Sequence, residues 1–179
     1  MKNYILLLTL IISTTVFGQK YFTKTGTLDF EASGPAFEPV KATNSTTTTI
    51  LDIATGDVAV LALIKGFRFK NALMEEHFNE NYMESDTHPK ATFSGKIEGF
   101  SVDDLGNTKE YILKGELTIH GKTQPIEAPV SITKNGDTIA LSTNLKAAPG
   151  DFDIDIPSVV REKISESINI TGSFNLVKR

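Results

Sequence analysis

The chain of 179 residues contains no cysteine. That excludes disulfides, cysteine-held metal, a thiolate nucleophile and a lipidated cysteine. Stability has to come from burial. Net charge is also small, at −4, with no block of five like charges and no basic stripe. A nucleic-acid partner needs clustered Lys and Arg, so none is expected. No Gly-x-Ser-x-Gly occurs, and no Ser, His and Asp set stands out, which argues against a nucleophilic hydrolase. Long apolar runs are missing beyond the first residues. The run over 4–16 follows Met1-Lys2-Asn3 and is shorter than the roughly 20 residues of a membrane-spanning helix. With Ser13, Thr14, Thr15 and Gly18 behind it, the stretch 1–18 reads as a cleaved secretory signal peptide. The remainder, 19–179, suits one domain. The expectation is a periplasmic or secreted protein with no membrane anchor once the signal is removed.

Alternation of period two fills that remainder, the mark of half-buried strands. Gly26, Leu28 and Phe30 share a face over 21–32, and Phe93, Gly95 and Ile97 share one over 91–100. The same pattern marks 111–119, 123–134, 139–145 and the final strand through Ile168, Ile170, Gly172, Phe174 and Leu176. The threonine-rich run 43–53 reads as a strand at an edge or with an exposed face. The stretch 58–69 reads as the most apolar strand, buried on both sides. Turns fall near Ser33-Gly34-Pro35, Asp103 to Asn107, His120-Gly121 and Asn135-Gly136. This gives eight strands with no βαβ rhythm, so the sheet should be antiparallel. Gly26, Gly95, Gly115 and Gly172 lie on the apolar face, where a sandwich core would want bulk. A coiled barrel with internal room suits them better. The expected fold is therefore all-β: an eight-stranded antiparallel, lipocalin-like barrel with a short helix at its opening.

The helix is the exception in the chain. Over 71–83, Leu73, Met74, His77, Phe78 and Tyr82 recur at helical spacing. Packing on the barrel explains them, and so does a lid built from Met74, Phe78 and Tyr82. The interior candidates are Leu28, Phe30, Val60, Phe67, Phe69, Phe93, Ile97, Leu117, Ile119, Ile170 and Phe174. These residues either fill a dry core or line a bore for a hydrocarbon chain, and patterning does not separate the two. Lys65, Arg68 and His77 are placed near the mouth, within reach of a polar head group. Of the three histidines, only His77 makes a plausible chelating pair, with Glu80 at i, i+3, which is too few ligands for a metal. His120 is expected to satisfy local backbone. Asp151, Asp153 and Asp155 alternate with Phe152, Ile154 and Ile156 and lack the glycine and glutamate of an EF-hand. They read as the solvated side of a strand. No metal, cofactor or catalytic set is expected.

Four segments together resemble the YceI family: Phe67-Arg68-Phe69, LMEEHFNENYME at 73–84, PKATFSG at 89–95 and GELTIHG at 115–121. The resemblance covers about 20–177. It implies an exported eight-stranded barrel with a helix at its opening, described as polyisoprenoid-binding, and an isoprenoid or similar lipid as the partner. It carries no catalytic residues over to this chain. Two positions depart from the pattern: Gly66, where many relatives carry serine, and Ala62, small for a barrel wall. The corresponding expectation is non-catalytic binding, transport or sequestration of a long-chain lipid. The alternatives are an envelope stress or interaction module with a filled core, and, third, an enzyme using His77 or His120. A homodimer is compatible with all of these.

Overall fold

The structure, a computed structural model, describes residues 20–33 and 39–179. The signal-peptide reading and the turn at Gly34-Pro35 lie outside the described residues. The strands are β1 (Lys20–Ser33), β2 (Lys41–Asp52), β3 (Asp57–Leu63), β4 (Arg68–Phe69), β5 (Lys90–Ile97), β6 (Lys109–Ile119), β7 (Lys122–Asn135), β8 (Thr138–Ala147) and β9 (Ile164–Lys178). All pair antiparallel in the order β1-β9-β8-β7-β6-β5-β3-β2, and β1 pairs with β2 to close the ring. Eight strands thus form a closed barrel, as the alternation predicts. The two-residue β4 is an addition, paired among the described residues to Ala42 and Thr43 of β2 alone.

Two strand readings need correction. The threonine run is not an edge: β2 pairs with β1 along its length and with β3 over Thr48 to Asp52. Its inner face holds Asn44, Thr47 and Thr49, all fully buried. A threonine methyl occupies a crowded inner wall much as valine does, and the hydroxyls of Thr47 and Thr49 have no hydrogen-bond partner among the described residues. The stretch 58–69 is not one strand either. A 3-10 turn at Ile64–Gly66 interrupts it, and β4 resumes the pairing along β2. Leu63 is half exposed, so only one face of β3 is covered throughout.

Asn44 explains the interruption. Its side-chain amide donates to the Leu63 carbonyl at 2.9 Å, and its Oδ1 accepts from the Thr46 amide and hydroxyl. The side chain thereby replaces ladder bonds lost where β3 leaves β2. Glycine follows at 66 because a Cβ there would sit 2.6 Å from Asn44 Nδ2. Ala62 is small for a similar reason: it is buried with Ala42 and Phe67 in one cluster. Asn44→Ala removes all three of these bonds and leaves the partly buried Leu63 carbonyl and Thr46 amide without them. The expected cost is about 1–3 kcal/mol, measured as a lower urea midpoint with an unchanged m-value.

The core divides the barrel into two levels. A continuous cluster including Tyr21, Leu51, Val58, Phe93, Ile97, Leu113, Val130, Ile139, Phe174 and Leu176 fills one level. The inward glycines do not leave room there. A Cβ on Gly95 or Gly115 would come within 2.6 Å and 2.8 Å of Phe93 Cζ, and one on Gly26 or Gly172 within 2.5 Å and 2.7 Å of the Phe174 ring. Each phenylalanine ring reaches a pair of glycines, and at Gly95 and Gly115 the carbonyls of Lys114 and Ser94 come closer still to such a Cβ, at 2.3 Å, so close strand approach and the rings together stop the bore. This corrects the expectation of internal space at the glycine level.

Candidate functional site

Above that floor, at the helix end, the barrel holds a cavity of about 310 Å³. Its wall is apolar apart from His77, Tyr82 and Lys163. Of the residues singled out from sequence, it takes Leu28, Phe30, Phe67, Phe69, Met74, Phe78, Tyr82, Leu117, Ile119 and Ile170, with His77 at its rim. Val60, Phe93, Ile97 and Phe174 do not line it. They belong to the packed floor or lie against it, because the glycine-covering rings occupy the axis there. Lys65 and Arg68 are also turned elsewhere. Lys65 Nζ pairs with Asp86 at 2.6 Å, and Arg68 with Glu75 at 2.6 Å, both on the outer surface. Exposed pairs of this kind contribute about 0–1 kcal/mol, so their role is local.

The lid forms for reasons visible residue by residue. Asn71 caps helix α1 (Ala72–His77), its side chain accepting from the Leu73 amide at 2.9 Å. The helix then widens into a π-turn at Phe78–Tyr82, closed by Met83 N–H to the Phe78 carbonyl at 2.9 Å. Asn79 Nδ2 donates to the Glu75 carbonyl at 2.8 Å, holding the widened turn. No residue of α1 or the π-turn is fully buried. Four phenylalanines hold the lid down instead. Phe78 stacks on Phe30 with ring centroids 5.3 Å apart and meets Phe69 at 5.1 Å and Phe67 at 5.7 Å. Each such pair adds about 0.5–1.5 kcal/mol beyond burial.

The facing wall comes from a segment whose residues 151–156 the alternation placed on a strand. It is instead a 3-10 turn, Pro149–Phe152, closed by Asp153 in the left-handed region (φ 55°) and followed by extended chain. The alternation was still meaningful. Phe152, Ile154 and Ile156 line the cavity while Asp151, Asp153 and Asp155 are exposed, and Lys122 pairs with Asp153 at 2.6 Å. Val160, Lys163, Ile164 and Ile168 complete this wall. Ile168 carries the alternation already read on the final strand, whereas Val160, Lys163 and Ile164 were missed, because the irregular chain leading into β9 has no periodicity to reveal which side faces in. Val159 (84 % exposed) and Leu73 (56 % exposed) are large apolar side chains on the two elements that bound the cavity.

The histidines also need correcting. His120 does not serve local backbone: its Nδ1 bonds the Phe152 carbonyl, far away in sequence, at 3.2 Å. The ligand shortage inferred from His77 and Glu80 does not extend to the others. Glu84, His88 and His120 bring their ligand atoms within 4.8 Å of one another. On the outer wall, hydrogen bonds to Glu98 and Glu127 hold the Lys114 ammonium above the usual lysine pKa.

Comparison with known proteins agrees with this architecture. A family model described as YceI-like domain matches residues 12–176. Among solved structures, a polyisoprenoid-binding domain from Saccharophagus degradans, implicated in plant cell wall breakdown, superposes with a TM-score of 0.75 at 12% identity. It covers 89% of this chain and 98% of its own. Burkholderia cenocepacia BcnA gives 0.69 at 17% identity, over 84% and 96%. A Campylobacter jejuni YCEI protein gives 0.64 at 20% identity, over 80% and 86%. At these identities the likeness establishes the fold. No curated protein matches the chain.

Proposed function

The chain belongs to the YceI-like domain family, and from that premise we propose that it binds one isoprenoid or similar hydrocarbon chain in the cavity beneath the helix, without covalent chemistry. The observation that carries this reading is the cavity itself: apolar, closed below by the phenylalanine-filled floor, and covered by a lid with no fully buried residue. Its volume, about 310 Å³, lies at the low end of the roughly 300–1,000 Å³ of ligand pockets. It accommodates one chain end, and a longer chain leaves through the mouth. Each methylene buried contributes about 0.8 kcal/mol, so about ten buried methylenes reach the roughly 8 kcal/mol of micromolar binding with no polar anchor. The polyisoprenoid-binding domain among the structural neighbours supports the ligand class.

Lys163 and the His77 imidazole are the basic side chains on the wall, and Lys163 takes the place of Lys65 and Arg68 beside His77 as a partner for a polar head group. Val159 and Leu73 are placed to touch the apolar surface from which a chain is drawn. The apolar run over 4–16 supports export to the periplasm or beyond. Among the described residues, no helix is long and apolar enough to cross a membrane.

The test is organic extraction and mass spectrometry of the protein purified from its native host. The expected result is a stoichiometric long-chain lipid. Protein that is consistently free of lipid, and that takes up none when offered prenyl chains, would leave an interaction module as the better reading.

A further inference from the structure

A second site lies beside the cavity rather than within it. The β6–β7 hairpin turns through His120 (φ 51°) and Gly121 (φ 75°), both in the left-handed region, as a type I′ turn requires. Asparagine or aspartate usually fills the first of these positions, whereas this chain places an imidazole there. The turn at 84–88 approaches from the other side. Glu84 is also left-handed (φ 42°), and its carbonyl accepts from the amides of both Thr87 and His88 at 2.8 Å. That tight turn presents the Glu84 and His88 side chains together. The His88 and His120 rings meet at 4.5 Å between centroids, and Glu84 Oε2 lies 3.9 Å from His120 Nε2. A Cβ at position 121 would lie 2.9 Å from the His88 ring, so glycine there preserves the approach.

The hydrogen bonding of His120 defines its chemistry. A carbonyl only accepts, so the bond to Phe152 puts the proton on Nδ1. In the neutral ring Nε2 is then a bare lone pair. It is buried, has no hydrogen-bond partner among the described residues, and is directed into the cluster. This is how metal-binding histidines are held: one nitrogen donates to a carbonyl, which fixes the tautomer and the ring, and the other ligates.

We propose that Glu84, His88 and His120 form a binding site for a borderline divalent transition ion of the zinc type. Two imidazole nitrogens and a carboxylate oxygen suit such an ion and leave one tetrahedral position open. Tetrahedral ligation at about 2.0–2.1 Å needs ligand atoms about 3.3 Å apart. The 3.9 Å between Glu84 Oε2 and His120 Nε2 closes by a small inward turn of Glu84, whose side chain is 55% exposed, toward the more fixed His120, at 13%, and the half-buried His88 has to draw in with it. An ion there ties the turn that follows the lid to the β6–β7 hairpin. Met83, Ile119 and Phe152, adjoining or bonded to the ligating residues, all line the cavity. The site stands independently of whether the cavity takes a lipid.

The test uses the full chain without a histidine tag, stripped with chelator and titrated with zinc by calorimetry, with nitrogen-detected histidine NMR in parallel. One zinc per chain is expected, with a raised melting temperature and a shift at His120 Nε2 while Nδ1 keeps its proton. His120→Asn retains a residue suited to the turn, and it and His88→Gln are expected to lose at least a hundredfold in affinity. His77→Gln is expected to bind as the parent does. Absence of saturable binding would overturn the proposal and leave His120 simply as an ion-pair partner of Glu84. Binding that survives His120→Asn but is lost in His77→Gln would equally overturn it, by moving the ion to the helix.

Discussion

Phe174→Ala is expected to destabilise the barrel by about 3–5 kcal/mol, the range for deleting a buried phenylalanine. The ring is 3% exposed and lies over both Gly26 and Gly172, so nothing else reaches the space it fills. A double-mutant cycle makes the claim specific. Gly172→Ala alone drives a Cβ to 2.7 Å from the ring and should cost about 1–3 kcal/mol. Made together with Phe174→Ala, the added methyl enters vacated space, and most of its cost should disappear. Chemical denaturation of the four proteins measures the coupling, expected at up to about 3 kcal/mol. Additive effects would mean that the floor is not packed by ring on glycine.

This prediction also shows where the sequence was legible. The inward phase of β6 to β9 follows from alternation, because each strand there has one covered and one solvated face. What the glycines were for did not follow. A glycine on an apolar face is equally consistent with a hollow and with a neighbouring ring, and only the pairing of Gly95 with Gly115 under Phe93 decides. The break after Leu63 was hidden for a related reason. Gly66 answers to Asn44 on another strand, a constraint with no local trace. Half of the cavity wall was legible as the aromatic cluster on β1, β4 and the lid. The other half rests on irregular chain around Phe152 and Val160. The cluster of Glu84, His88 and His120 could not be read from spacing, since pairing of β5 with β6 brings its two turns together.

The second large effect concerns binding. Ile119 and Ile170 lie on β6 and β9, half-buried in sequence context because their remaining surface faces the cavity. Replacing both with tryptophan should fill much of the 310 Å³. If about four methylenes of ligand are displaced, at about 0.8 kcal/mol each, the loss is about 3 kcal/mol, or roughly 200-fold in affinity. Overpacking should cost the fold no more than about 1–3 kcal/mol, which a thermal melt separates from the binding effect. Equilibrium titration with a fluorescent alkyl probe reads the affinity. Unchanged affinity in the folded double variant would place the ligand outside this cavity.

A chain-length series tests the dead-ended cavity most directly. Prenyl alcohols of increasing length, titrated against the stripped protein, should bind more tightly by about 0.8 kcal/mol per added methylene-sized group while the chain still descends toward Phe93 and Phe174. Affinity should then level off once the end meets that floor. A flat series without measurable binding, or a gain that continues undiminished through the longest chains, would contradict the account.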